Sequence, residues 1–208
     1  MSSPQTSSHD PQFDWDSARL FPVQRTWTIE EYLDATDSTN NLIEFTDGRI
    51  EVLEMPTTSH QLILEFLHAA LKSFVVDKRV GVVLFAALRL QVGETKFREP
   101  DVLFVGNDHR DLIQERYWTG ADLVMEVVSN DAKSRERDLV SKRREYAAAG
   151  IAEYWIVDPM NKQITVLGLE GTEYKALGEF APGQQAVSHL LEGFSVDVAA
   201  TFQAGQWK

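Results

Sequence analysis

Between residues 57 and 75 apolar residues recur at Leu62, Ile63, Phe66, Leu67, Ala70, Leu71 and Phe74, among others. That spacing predicts a helix of about four turns with one buried face. Upstream, Thr28-Ile-Glu-Glu31 is a capping-box pattern and predicts a short helix to about residue 35. Apolar segments 42–45 and 49–54 flank Asp47-Gly48, the signature of a hairpin with a tight turn. Strand-like runs follow at 82–85, 88–92 and 97–105, and residues 123–128 are so uniformly apolar that they predict a central strand buried on both faces. Residues 134–149 return to helical spacing and meet Gly150 at the expected stop. Residues 153–157 read as a strand ended by Asp158-Pro159, with weaker strands at 163–169, 174–177 and 194–198. The order predicts a mixed α/β fold in which a central sheet carries a helix on each face.

Residues 1–12 hold mostly Ser, Pro, Gln and Thr, so 1–25 is expected to be a disordered or extended tail and 26–208 a single domain. The absence of cysteine excludes disulfides, thiolate metal sites and thiol nucleophiles. The longest apolar run, 80–88, falls far short of the roughly 20 residues of a membrane span. No basic segment followed by an apolar stretch opens the chain, so a cytoplasmic protein that does not enter membranes is expected. The net charge of −12 opposes general attraction to nucleic acid. Residues 133–144 are the exception, with Lys133, Arg135, Arg137, Lys142, Arg143 and Arg144 against Glu136 and Asp138. That stretch is either a phosphate-facing surface or a solvated helix face.

Serine-hydrolase elbows, phosphate-binding glycine loops and zinc-protease motifs are all missing. Carboxylates in strands remain. Glu126 shares a strand face with Val124 and Val128, where a lone ionised group would cost several kcal/mol without a cation beside it. Asp101 follows Pro100 at the head of another apolar run; taken alone it reads better as a turn or cap residue than as a functional one. On the 134–149 helix, Leu139, Lys142, Tyr146 and Ala149 form one stripe, which turns Lys142 toward the sheet and leaves Asp138 at its border.

Together these residues reach a resemblance. Pro100-Asp101, then Met-Glu126-Val-Val-Ser129, Asp138-x-x-x-Lys142-x-x-x-Tyr146 and Gly150-Ile-x-Glu-Tyr-Trp-Ile-Val-Asp158-Pro159 are similar to the bacterial putative restriction endonuclease family of the PD-(D/E)XK nuclease superfamily. The Leu-Ile-Glu44-Phe-x-Asp-Gly48 hairpin and His60 at the next helix extend the likeness, from about residue 28 to 198. One position departs from the superfamily pattern: its lysine would stand at Val128, and the resembled family carries it on the following helix, here at Lys142.

The resemblance implies a restriction-endonuclease-like α/β fold and Mg²⁺-dependent (or Mn²⁺-dependent) cleavage of DNA by a homodimer. It makes Asp101 and Glu126 the metal ligands and Lys142 the third catalytic group. Glu44, His60 and Asp138 would support them, and Arg135, Arg137 and Arg143 would contact DNA. A non-catalytic module that keeps the nuclease fold for binding nucleic acid or protein is the alternative, favoured by Val128 and the acidic charge. A carboxylate-pair glycosidase is more distant, since no sugar-stacking aromatics surround Asp101 and Glu126 in the sequence.

Overall fold

The computed structural model describes residues 26–37, 41–129 and 135–207; the expected tail over 1–25, together with Lys133 and Ser134, lies outside them. Helix α1 (Ile29–Thr36) begins with the expected reciprocal box between Thr28 and Glu31. Strands β1 (Ile43–Thr46) and β2 (Arg49–Val52) form the hairpin. Asp47 and Gly48 both take positive φ, 49° and 82°, which a two-residue turn of this hand requires. β1 also pairs with β5 (Lys96–Arg98), and β5 with β4 (Leu90–Gly93), giving a four-stranded antiparallel sheet in the order β2-β1-β5-β4. Tyr32 of α1 stacks on Phe45, centroids 5.0 Å apart, and its hydroxyl donates to the Ile43 carbonyl at 2.8 Å.

The larger sheet has six strands in the order β10-β9-β8-β7-β6-β3. In chain order these are β3 (Gly81–Phe85), β6 (Val102–Gly106), β7 (Leu123–Val127), β8 (Glu153–Asp158), β9 (Gln163–Glu170) and β10 (Glu173–Phe180). Only β7 and β8 run parallel, and the crossover between them carries α3 (Lys142–Ala148). Alternation along β7 sends Leu123, Met125 and Val127 toward Leu67, Leu71 and Val75 of α2 (Thr58–Lys78). Val124 and Val128 instead pack with Tyr146 and Ala147 of α3. The sheet is thus covered on both faces, and every residue of β7 is buried.

Three differences from the sequence reading matter. The run expected over 97–105 is broken at Glu99-Pro100-Asp101: Phe97 pairs with Phe45 in the small sheet, while Val102 pairs with Met125 in the large one. Pro100 has no N–H to give a ladder, so the chain changes sheets there. The helix expected over 134–149 is not regular where it is described. Its first part, Arg137–Ser141, is a π-helical turn in which the Lys142 N–H reaches the Arg137 carbonyl. The third difference is at the C-terminus: the strand expected over 194–198 is present as β12 (Ser195–Asp197), but it pairs with an unexpected β11 (Gln185–Val187) in a small hairpin and is followed by an unexpected α4 (Val198–Ala204). Two turns of Val, Ala, Thr and Phe hold too few apolar repeats to announce that helix.

The C-terminal unit packs Ala186, Phe194, Val196, Val198 and Phe202 into the core, and one carboxylate adds polar ties to the sheet. Glu153 is buried at the start of β8 and accepts from Trp155 Nε1 and Ser188 Oγ at 2.7 Å. Its other oxygen accepts the backbone N–H groups of His189 and Leu190 at 2.7 and 2.9 Å. Replacing it by Ala leaves the buried Trp155 and Ser188 donors without their acceptor, while the His189 and Leu190 N–H groups lie nearer solvent, so Glu153→Ala should lose roughly 2–3 kcal/mol of stability. Urea titration checks this, and Glu153→Gln should recover part of the loss by keeping one acceptor.

Candidate functional site

The two sheets meet at a cleft of about 440 Å³, bounded by the hairpin flanks, the N-terminal turn of α2 and the end of β7. At its floor lie Glu99, Asp101, Glu126, Asp138 and Lys142. The break at Pro100 places Asp101 just before β6, and the β6–β7 register (Val102 opposite Met125) sets it beside Glu126. Asp101 is held from two sides: Val127 N–H donates to Oδ2 at 2.7 Å, and His60 Nε2 lies 3.0 Å from Oδ1. His60 reaches it from the first turn of α2, which Thr57 caps through the His60 N–H.

Glu126 projects to the α3 side of β7. Its Oε1 accepts from Lys142 Nζ at 2.8 Å and from the Tyr146 hydroxyl at 2.5 Å. Lys142 Nζ also lies 3.4 Å from Glu44 Oε1 and 3.4 Å from Asp138 Oδ1. The π-helical turn brings Asp138 inward with Lys142; they are 3% and 2% exposed, so this is no surface i,i+4 pair. Ala149, expected on the same stripe, is exposed at the helix end beside Gly150, whose φ is 79°.

Burial raises the Glu126 carboxyl; Lys142 pulls it back, and Asp101 and Asp138 push it further up. Asp138 is raised too, by burial against the pull of Lys142 and Arg137. Burial acts to lower the Lys142 ammonium, but Glu126, Glu44 and Asp138 outweigh it and keep the charged form. Burial would raise Glu44, yet Lys142 and Arg98 hold it below the usual carboxylate range. Burial likewise opposes the His60 imidazolium, and the hydrogen bond to Asp101 overcomes it. The cleft floor is therefore a crowded carboxylate cluster with too few cations for every acid to ionise.

Two members escaped the sequence reading. Arg98 is buried and forks onto Glu145, with Nε to Oε2 at 2.7 Å and a terminal nitrogen to Oε1 at 2.6 Å. It also donates to the Phe45 and Phe97 carbonyls and lies 3.7 Å from Glu44, joining small sheet, helix and site. Glu99 is 8% exposed, and its Oε2 has no hydrogen-bond partner. The signal was the charged tetrad Arg98-Glu99-Pro100-Asp101 inside an otherwise apolar run.

The expected DNA-contacting arginines are placed unequally. Arg135 forms a two-pronged pair with Asp158 at 2.7 and 3.0 Å, and Arg143 donates to the Tyr174 carbonyl at 2.9 Å. Arg137 lines the cleft, with only a 3.5 Å approach to Asp138. Among the described residues, no three His, Asp or Glu side chains are grouped so as to hold a metal ion by themselves.

A model of the putative restriction endonuclease family Uma2 matches residues 29–199. The chain belongs to that family. No curated protein matches it. The crystal structure of a putative nuclease from Anabaena variabilis is similar, with a TM-score of 0.69 and 17% identity over 86% of this chain and 99% of that one. At that identity the likeness establishes the restriction-endonuclease-like fold, a central mixed sheet flanked by helices. No helix among the described residues is long and apolar enough to cross a membrane.

The stranded Glu99 carboxyl gives a pH test. Burial, with Glu44 nearby, lifts it from 4.5 to about 7 against a hydrogen bond from the Ile43 backbone. Between those values the native state keeps a proton that the unfolded chain has lost, so stability is full below 4.5 and declines as pH rises to 7. The decline should be at most about 3 kcal/mol. Glu99→Gln should flatten that slope in urea titrations at pH 5 and pH 7.

Proposed function

We propose that this member of the Uma2 family is a metal-dependent endonuclease that hydrolyses phosphodiester bonds in DNA. The observation that carries the reading is the meeting of Asp101 and Glu126 from neighbouring strands at the floor of a cleft, with Lys142 Nζ 2.8 Å from Glu126. The donor set fits a hard divalent cation. Four buried carboxylates, those of Glu99, Asp101, Glu126 and Asp138, line one cleft, Glu44 backs them through Lys142, and Glu99 keeps an oxygen without a hydrogen-bond partner. Asp101 and Glu126 would hold Mg²⁺ or Mn²⁺; a carboxylate has about four acceptor positions, so their present hydrogen bonds do not exhaust them. Mg²⁺ needs only one or two protein carboxylates because it keeps several waters. The bound ion supplies polarisation of a phosphoryl oxygen and easier ionisation of water.

The chain's own groups do the rest. Lys142 fixes the orientation of Glu126 and presents positive charge where the phosphate becomes more negative. Tyr146 holds the same oxygen from the next turn of α3. His60 orients Asp101 through Oδ1. Of the three expected DNA-contacting arginines, Arg137 is the one at the cleft wall, where it would meet an incoming phosphate beside Asp138.

The alternative, a nuclease-fold module without catalysis, is favoured by a specific feature. Glu126 Oε1 already accepts from Lys142 and Tyr146, as a purely structural carboxylate would. Metal binding separates the two. At a hundred times its Kd, Mn²⁺ should stabilise the protein by about 2.7 kcal/mol, visible as a rise in melting temperature. The Asp101→Asn, Glu126→Gln double variant should lose that rise, and Glu126→Gln should lose cleavage of mixed DNA substrates in Mg²⁺ or Mn²⁺. No metal-dependent rise in the wild type would leave the non-catalytic module.

Lys142→Met keeps the packing stem and removes the ammonium. Glu126 can take up a proton in that variant, so the fold should survive while cleavage falls roughly 10²–10³-fold. Arg135→Ala and Arg137→Ala should part company. The first breaks the pair with Asp158 and lowers the melting temperature; the second raises KM and weakens its salt dependence with little effect on melting.

A further inference from the structure

Next to the cleft lies a second concavity of about 500 Å³, and the two share Pro56 and Gln61 in their walls. Its lining includes Phe85, the last residue of edge strand β3 and 49% exposed, together with one acid, Glu65. The Phe85 ring sits 4.6 Å from the His68 ring, centroid to centroid, with the planes 54° apart. Ala86 and Ala87, the next two residues, line the cleft itself. Lys72, one helical turn beyond His68 on α2, is exposed and close enough to His68 to disfavour its imidazolium after burial has done so. A track therefore runs from a cation, across two aromatic rings, to the carboxylates of the floor.

The depth of those carboxylates bears on what can reach them. Asp101 is 9% exposed, Glu126 3% and Lys142 2%. A duplex is stiff over about 50 nm and keeps its phosphates on a convex surface, so lowering one into a cleft requires unstacking or a sharp kink. A single strand turns freely about each phosphate. Duplex binding also draws on many surface cations. This chain carries a net −12, and Arg98, Arg135 and Lys142 are committed to its own carboxylates. Single-strand binding uses cations too, but stacking on aromatic side chains adds roughly 1–3 kcal/mol per base, so a strand can be held with fewer of them.

We infer that, given the nuclease reading above, the substrate is a single DNA strand whose phosphodiester enters the cleft while the neighbouring base stacks on Phe85 beside His68. Lys72 then faces the following phosphate. One cleft suffices for one strand, so cleavage of this substrate places no demand on a second subunit.

The test is fluorescence anisotropy of the full chain in Ca²⁺, with a labelled oligothymidine of about 12 nucleotides, a length within single-strand site sizes. The same labelled strand, annealed to its complement, is the comparison. The single strand should bind at least tenfold tighter. Phe85→Ala should weaken it roughly tenfold, as loss of one stacked base does, and Phe85→Trp should restore it. Lys72→Gln should reduce the salt slope by about one. Equal or tighter duplex binding, no binding of either, or an unchanged Phe85→Ala protein would overturn the inference. So would a Phe85→Ala protein that dissociates from dimer to monomer in sedimentation while its strand affinity stays the same, since Phe85 would then be a contact between copies. Cleavage in Mn²⁺ is scored separately. Strand binding through Phe85 with no cleavage of any substrate removes the nuclease reading and leaves the strand preference; rapid cutting of duplex with no role for Phe85 does the reverse.

Discussion

The buried ammonium of Lys142 is the interaction on which the arrangement of the site depends. It draws Glu126 from the large sheet, Glu44 from the small sheet and Asp138 from the preceding turn to within 3.4 Å of one nitrogen. Each of these groups is nearly dry, and removing charges from water costs several kcal/mol apiece. A well-packed apolar replacement would usually do as well or better for stability. Stability alone therefore does not account for so many buried charges. The cluster's place at the floor of a cleft, with burial and like charge lifting Glu126 and Asp138, is the arrangement on which the nuclease proposal rests.

The same cluster ties two sheets that share few strands' worth of contact. The small sheet reaches the large one through the chain crossing at Glu99-Pro100-Asp101 and through Arg98, whose guanidinium spans the Phe45 carbonyl, Glu44 and Glu145. An arginine suits this post because its planar fork donates to two acceptor groups at once and never gives up its proton. At the periphery, Arg116 and Arg89 attach α1 to the body through Glu30, Asp34 and Asp37. Those pairs are exposed on the acid side and contribute little each. The mutual position of the cleft walls is thus set mainly by buried contacts, and the surface pairs only limit fraying.

Local physics wrote most of the fold into the sequence. The Thr28 box, the Asp47-Gly48 turn, the apolar run of β7 and Gly150 each act over a few residues, and each appears where pattern placed it. What pattern missed depends on distant partners. The split of 97–105 between two sheets is decided by which strands Phe97 and Val102 find, although Pro100 marked the spot. The π-helical turn depends on drawing Asp138 inward toward a lysine that itself answers to Glu126. Site residues were legible where a charge interrupted apolar periodicity, as at Glu126 and Lys142. Glu99 and Arg98 were not, because next to Pro100 they resembled ordinary turn residues.

Val128 shows why a lysine can serve this site from a helix instead of the strand. Position 128 lies just past β7, on the same face as Glu126, and its side chain is 1% exposed among Val124, Tyr146 and Ile156. A lysine rooted there would have to thread its stem through that apolar packing to bring an amine to Glu126. From α3, Lys142 approaches across the gap between the helix and the sheet. Its stem lies along the buried stripe, and its amine ends 2.8 Å from Oε1. Val128 then fills the volume beneath the helix, and its N–H continues the ladder to the Val157 carbonyl at 2.8 Å. Positive charge thus reaches the carboxylate from the helix while Val128 packs against Tyr146 of α3. Tyr146, one turn beyond Lys142, can then reach the same oxygen. Strand and helix are thereby coupled at one atom, Glu126 Oε1, so a shift of α3 along the sheet would move both donors together.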